Sequence, residues 1–219
     1  MMDKVTDLFA PFQDLAAALL PHAFDAEDGA HDTAHLARVF KNAMRIHGKE
    51  GGDADVIAAA VLLHDCVSVE KNSPDRSKAS RLAALKATSL LTELGGFTDR
   101  IEKVAHAIEA HSFSAGIQPQ TIEAKILQDA DRLDAIGMIG AARCFYISGR
   151  MGSSLYDAGD PRASDRDING NRFALDHFPE KLFKLAEGFQ TQTGQALAQA
   201  RHARLKLVYD TLLDEIENG

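Results

Sequence analysis

Apolar residues recur along most of this chain at intervals of three and four, the period of helices buried on one side. Leu8, Phe12, Leu15 and Leu19 share such a face and predict a helix over 3–20, with Pro11 limiting its first turn. A loop over 21–31 leads to a second helix that begins near Asp32, carries His35, Val39 and Met44, and stops at Gly48. Gly51-Gly52 interrupts the pattern, and Asp53 then offers a carboxylate N-cap to a helix ending at His64-Asp65. Ser73-Pro74 supplies a cap and a first-turn proline for a helix to about Leu94. Thr98 is placed to cap another that runs to about His111. Pro119 opens the next, which carries Lys125 and Asp131, and Ile136 to Arg150 continues in helical style.

The pattern changes over 151–178, where Gly, Ser, Asp and Asn dominate and no apolar period survives. So long a polar stretch inside a compact domain predicts a lid or a mobile loop. Helices resume at Pro179, with a break near Gly194, and continue to the C-terminus. No strand-like alternation exceeds a few residues. The expectation is an all-α fold, one helical domain over 1–219 with a polar lid at 151–178.

Composition narrows the function classes. A formal net charge of −8 argues against a protein that grips long nucleic acid through many phosphates. It leaves room for a small phosphorylated substrate, whose charge a metal ion and a few cationic side chains can meet. No apolar run approaches the ~18 residues of a membrane span. The start Met1-Met2-Asp3-Lys4 lacks the basic and apolar regions of a signal peptide, and Cys66 and Cys144 form no disulfide or metal framework. The chain is therefore expected to be cytoplasmic, with no membrane partner; an oligomer is left open.

The chemistry centres on Leu62-Leu63-His64-Asp65, where an apolar helix delivers an imidazole and a carboxylate side by side. Bare charge is costly in that setting unless something pairs with it, and a divalent metal is an economical partner. Adjacent helical residues diverge by about 100°, so both can embrace an ion lying off the helix. His35 upstream and a carboxylate of the run Gln128-Asp129-Ala130-Asp131-Arg132-Leu133-Asp134 downstream would complete a mixed nitrogen and oxygen set. Such a set suits Mn, Mg, Fe, Co, Ni or Zn better than ions that prefer thiolate. The His-Asp pair alone is a weak signal, because His31-Asp32 is a second one. What distinguishes His64-Asp65 is its place after an apolar helix and the order His, His-Asp, Asp.

That ordered set resembles the HD superfamily of metal-dependent phosphohydrolases, in particular its small stand-alone bacterial members. Ala130-Asp131-Arg132-Leu133 is similar to the family's last-ligand motif, with Ile122-Glu123-Ala124-Lys125 before it. The resemblance implies His35, His64, Asp65 and Asp131 as ligands of a divalent metal, with Mn favoured, and leaves Asp134 to support them. It implies that His111 or His106 contacts phosphate or a second metal, and that Lys71 and Lys181 stand near the substrate. Asp65, Lys125 and His111 are the expected catalytic groups. His31 and the cations Arg76, Lys78, Arg132 and Arg143 are weaker candidates.

The function so implied is hydrolysis of a phosphate bond in a nucleotide, first a nucleoside triphosphate that releases pyrophosphate. A nucleotidase, a cyclic-nucleotide phosphodiesterase and a non-catalytic nucleotide sensor are the alternatives. Ser68 and Val69 stand where the (p)ppGpp-hydrolase branch carries a Glu-Asp pair, which counts against that substrate. A calcium loop opening at Asp165 with Asp176 at its twelfth position is disfavoured, because that position calls for Glu and Arg172 replaces an apolar residue.

Overall fold

In a computed structural model the described residues are 2–24, 32–69, 76–112 and 115–219. Among them the regular structure is all helical, α-helices with short 3-10 turns, with one isolated bridge between Ser154 and Phe173. The chain divides into two compact units, Met1–Asp131 and Arg132–Gly219.

The first unit is built around α4 (Ala54–Leu63), in which Val56 through Leu63 are all buried. A helix apolar on every side has no solvent face, and α4 accordingly packs against α2 (Gln13–Leu19), α3 (Thr33–Glu50), α5 (Ala79–Leu94) and α6 (Ile101–His111). The buried face of α3 carries Leu36, Val39, Phe40, Ala43 and Ile46. The inward face of α5 is mainly alanine, Ala83, Ala84 and Ala87, which lets α6 approach closely. The N-terminal segment is not one helix. It comprises α1 (Met2–Thr6), a 3-10 turn and α2, interrupted at Ala10-Pro11, and it brings Phe9 and Phe12 edge-on to Phe40.

Two aspartate caps form, the one predicted at Asp53 and another at Asp32. Asp32 Oδ1 accepts from the His35 amide at 2.9 Å, and Asp53 Oδ1 accepts from the amides of Asp55 and Val56. Thr98 does not cap α6. Arg100 occupies that position, and its guanidinium reaches Asp53 and Asp55 at 3.2 and 2.6 Å. Thr121 starts α7 (Ile122–Asp134) by accepting from the Ala124 amide. The starts of α4 and α7 are in contact at Gly52. Its φ is +98°, and a Cβ there would lie 3.0 Å from Ile122 Cγ2. Alongside, the buried Glu123 carboxylate accepts from the Asp53 amide at 2.9 Å. Ser73-Pro74 lies outside the described residues.

In the second unit α8 (Gly137–Arg150) packs on α10 (Gln192–Asn218). Phe178, on the short α9 (His177–Glu180), meets Phe145, Phe183 and Tyr209. The break expected near Gly194 falls earlier, over 187–191. Thr191 caps α10 by accepting from the Gly194 amide, so that glycine lies inside the first turn.

Residues 151–176 have no helix but are tied together by their own side chains. The Arg166 guanidinium donates twice to the buried Asp176 carboxylate, at 2.5 and 2.9 Å, and lies 4.5 Å from the Phe173 ring centre. Asp176 also accepts from the Asn169 amide. Asp176, the would-be last ligand of a calcium loop, is thus already neutralised by an arginine. Residues 177 and 178, placed in the lid by the sequence reading, belong to α9. Among the described residues no helix is long and apolar enough to cross a membrane.

Candidate metal centre

Five side chains of the first unit converge. His35 comes from the first turn of α3, three residues beyond its Asp32 cap. His64 and Asp65 form the turn in which α4 ends. Asp131 comes from α7, and His111 is the last residue of α6. The Nε2 atoms of His35 and His64 are 3.4 Å apart. Asp65 Oδ2 lies 3.7 Å from His35 and 3.5 Å from His64, while Asp131 Oδ1 lies 3.5 and 3.8 Å from the same two nitrogens. The other Asp65 oxygen, Oδ1, is 3.8 Å from His111 Nε2.

One local device presents two of the imidazoles. His64 Nδ1–H donates to its own helix at Val61 O (2.8 Å), and His111 Nδ1–H donates to Ile108 O (2.6 Å). Each bond fixes the tautomer and turns the Nε2 lone pair outward, as metal-binding histidines require. The helix C-terminus from which each ring projects also favours positive charge. Lone pairs on imidazoles facing carboxylate oxygens repel unless a cation or a proton lies between them. Ligand atoms of His35, His64 and Asp131, and likewise of His64, Asp65 and His111, all lie within 4.8 Å of one another. This donor set fits a divalent cation.

The electrostatics agree. Burial works against a charged His64, but Asp65 and then Asp131 outweigh it and raise its pKa to about 9, so a proton stands in for the cation. Burial would push the Asp131 carboxyl up, yet the hydrogen bond and charge of His64, with His35, hold it well below the usual carboxylate range. His111 is pushed down by burial and by the charge of His64, which keeps its ring neutral. The imidazoles of His35 and His64 are enclosed, whereas Asp65 and Asp131 keep 28 % and 32 % of their side-chain surface exposed. The cluster therefore opens on its carboxylate side.

The other sequence candidates are placed differently. Lys125 is half-buried on α7, and Lys181 is exposed in the second unit. Lys71 and His31 lie outside the described residues. His106 is not in the cluster: its Nε2 accepts from the Gln120 amide at 2.9 Å and fastens the segment before α7. Asp134 follows Asp131 by three residues on α7. It is buried and bonded by Arg143 at 3.1 Å. Arg132 donates to Gly188 O and lies over Phe189. Lys78 is exposed.

Three polar contacts beside the ligands were not foreseen from sequence. Asn42 Nδ2 donates to Ala130 O at 3.1 Å, Gln128 Nε2 donates to Ala110 O at 2.7 Å, and Lys86 Nζ donates to Cys66 O at 2.7 Å. Each acceptor belongs to the chain neighbour of a cluster residue. The available sequence signal was a polar residue on an otherwise buried helix face, such as Asn42 seven residues after His35.

The HD-domain family profile matches residues 33–136, which span α3 to just beyond α7 and contain all five clustered side chains. Over 180 residues, 80 % of either chain, the sequence is 35 % identical to the protein YpgQ of Bacillus subtilis. The chain belongs to the HD-domain family. Solved relatives share its fold along the full length. The crystal structure of YpgQ in complex with ADP superposes with a TM-score of 0.67 at 30 % identity, covering 100 % of this chain and 99 % of that one. An HD-superfamily hydrolase from Bacillus thuringiensis gives 0.68 at 28 % identity, covering 100 % and 97 %. HD domains bind divalent metals, and the histidine–aspartate cluster of this HD-domain protein is consistent with that property.

Proposed function

We propose that this HD-domain protein is a metal-dependent phosphohydrolase acting on a nucleotide, and within that class a nucleoside triphosphate pyrophosphohydrolase. The observation that carries the reading is the convergence of His35, His64, Asp65 and Asp131, with His111 beside them, on an open carboxylate side. The ADP bound by YpgQ supports a nucleotide as the ligand class. His35, His64, Asp65 and Asp131 would hold the ion. A divalent cation there supplies charge against phosphoryl oxygens and makes a water molecule more acidic.

The protein's own groups do the rest. Asp65 Oδ1, on the His111 side, would take a proton from the attacking water. His111, kept neutral with its Nδ1–H committed to Ile108 O, would take up a proton at Nε2 as negative charge develops. Lys125 and Lys71 would stabilise the phosphoryl oxygens. Water attacks the α-phosphorus, the bond to the bridging oxygen breaks, and pyrophosphate leaves with the electron pair while the nucleoside monophosphate remains. The test is a screen for phosphate and pyrophosphate release over a nucleotide panel with Mn²⁺, with Asp65→Ala as the control. Pyrophosphate release is the expected result. Release of inorganic phosphate alone would replace this reading by a nucleotidase, and binding without turnover by a sensor.

A further inference from the structure

The five clustered side chains arrive from four separate helical segments, and a shift in any of them would open the cluster. We propose that Asn42 and Gln128 are positioning residues that lock α3, α7 and α6 in the register the metal site requires, an assignment that rests on the metal reading above. Asn42 stands seven residues after His35 on the same buried side of α3 and donates to Ala130 O, immediately before Asp131. Gln128 stands on α7, three residues before Asp131, and donates to Ala110 O, immediately before His111. The two amides thus run in series from the helix of His35 to the helix of Asp131 and on to the helix of His111.

Both side chains are buried, at 7 % and 6 % exposure. A buried amide costs stability unless it is hydrogen-bonded, and an aliphatic side chain would fill either space without that cost. What an aliphatic residue lacks is direction. A slip of one residue along a helix moves a carbonyl by about 1.5 Å and turns it by about 100°, which breaks a hydrogen bond but leaves an apolar contact nearly unchanged. Because α6 ends at His111, the carbonyl of Ala110 lies in its last turn, and Gln128 donates to it. Neither amide is among the clustered ligand atoms, so each acts through the main chain.

The test uses the full chain, stripped of metal and titrated with Co²⁺, whose visible absorption reports coordination geometry. Asn42→Leu and Gln128→Met keep the approximate volume and remove the donor. Each is expected to weaken Co²⁺ binding about 10- to 100-fold and to alter the Co²⁺ absorption bands, with helical circular dichroism retained. Leu91→Ala, a cavity variant in the core of α5, controls for general destabilisation and is expected to leave affinity and bands as in wild type. If Asn42→Leu fails to fold, Asn42→Ser carries the same test. Variants that bind Co²⁺ as wild type does overturn the proposal, and so does an equal loss in Leu91→Ala. A wild-type protein that takes up no Co²⁺ overturns the metal reading and this assignment with it, which separates the two failures.

Discussion

Asp131 in the first unit and Asp176 in the second are both carboxylates held below their ordinary pKa against the effect of burial, by different means. Asp176 has a guanidinium fork, a backbone amide and an arginine stacked on an aromatic ring, so its charge is met within the protein. Asp131 faces imidazoles, which are cationic only when protonated. The Asp176 site is therefore electrostatically complete, while the histidine–aspartate cluster needs a proton or a metal from outside. Polar composition drew attention to the first region, but the incomplete one is where external chemistry enters.

Removing a ligand should separate the regions most sharply. Asp65→Ala and His64→Ala are expected to lose a metal content of about one per chain and nearly all turnover, with circular dichroism unchanged. Elemental analysis that found equal metal in wild type and both variants would end the metal assignment. Arg166→Ala should do the reverse. It strands the Asp176 charge and should lower the unfolding midpoint while metal content stays at the wild-type level; paired denaturation and metal measurements check both halves.

Lys125→Ala should keep the metal and lower turnover by about 10²-fold, the usual cost of one preorganised donor to transition-state charge. Metal occupancy and kcat measured on one sample decide this, and a near wild-type kcat at full occupancy would make Lys125 a surface residue. The smallest expected effect is on pH. In the metal-free protein His64 is protonated below about 9, so a cation must displace that proton. Affinity should rise up to tenfold per pH unit towards pH 9 and then level off. Calorimetry at pH 7.5 in buffers of different ionisation enthalpy should show about one proton released per metal. Because the folded pKa is raised, the metal-free protein should also lose stability as pH climbs from about 6.5 through 9, a loss that bound metal removes.

Much of this was legible in the chain because it depends on near neighbours. The unbroken apolar run Val56–Leu63, opened by a capping aspartate, marks a buried element, and Asp32 and Asp53 cap because their carboxylates reach amides two or three residues on. The order His35, His64-Asp65, Asp131 and the family resemblance pointed to the cluster that the fold assembles. Other assignments depended on which side chains meet across long stretches of sequence. His106 and His111 share one helix, yet one turns to Gln120 and the other to Asp65. Asp131 and Asp134 are a single turn apart, but Arg143 takes the second. Asn42 and the carbonyl it fixes are separated by 88 residues. Helical period and capping are set by local backbone geometry and read directly from sequence. The partner of a buried polar group is set by which helix faces pack together, and tertiary structure alone decides that.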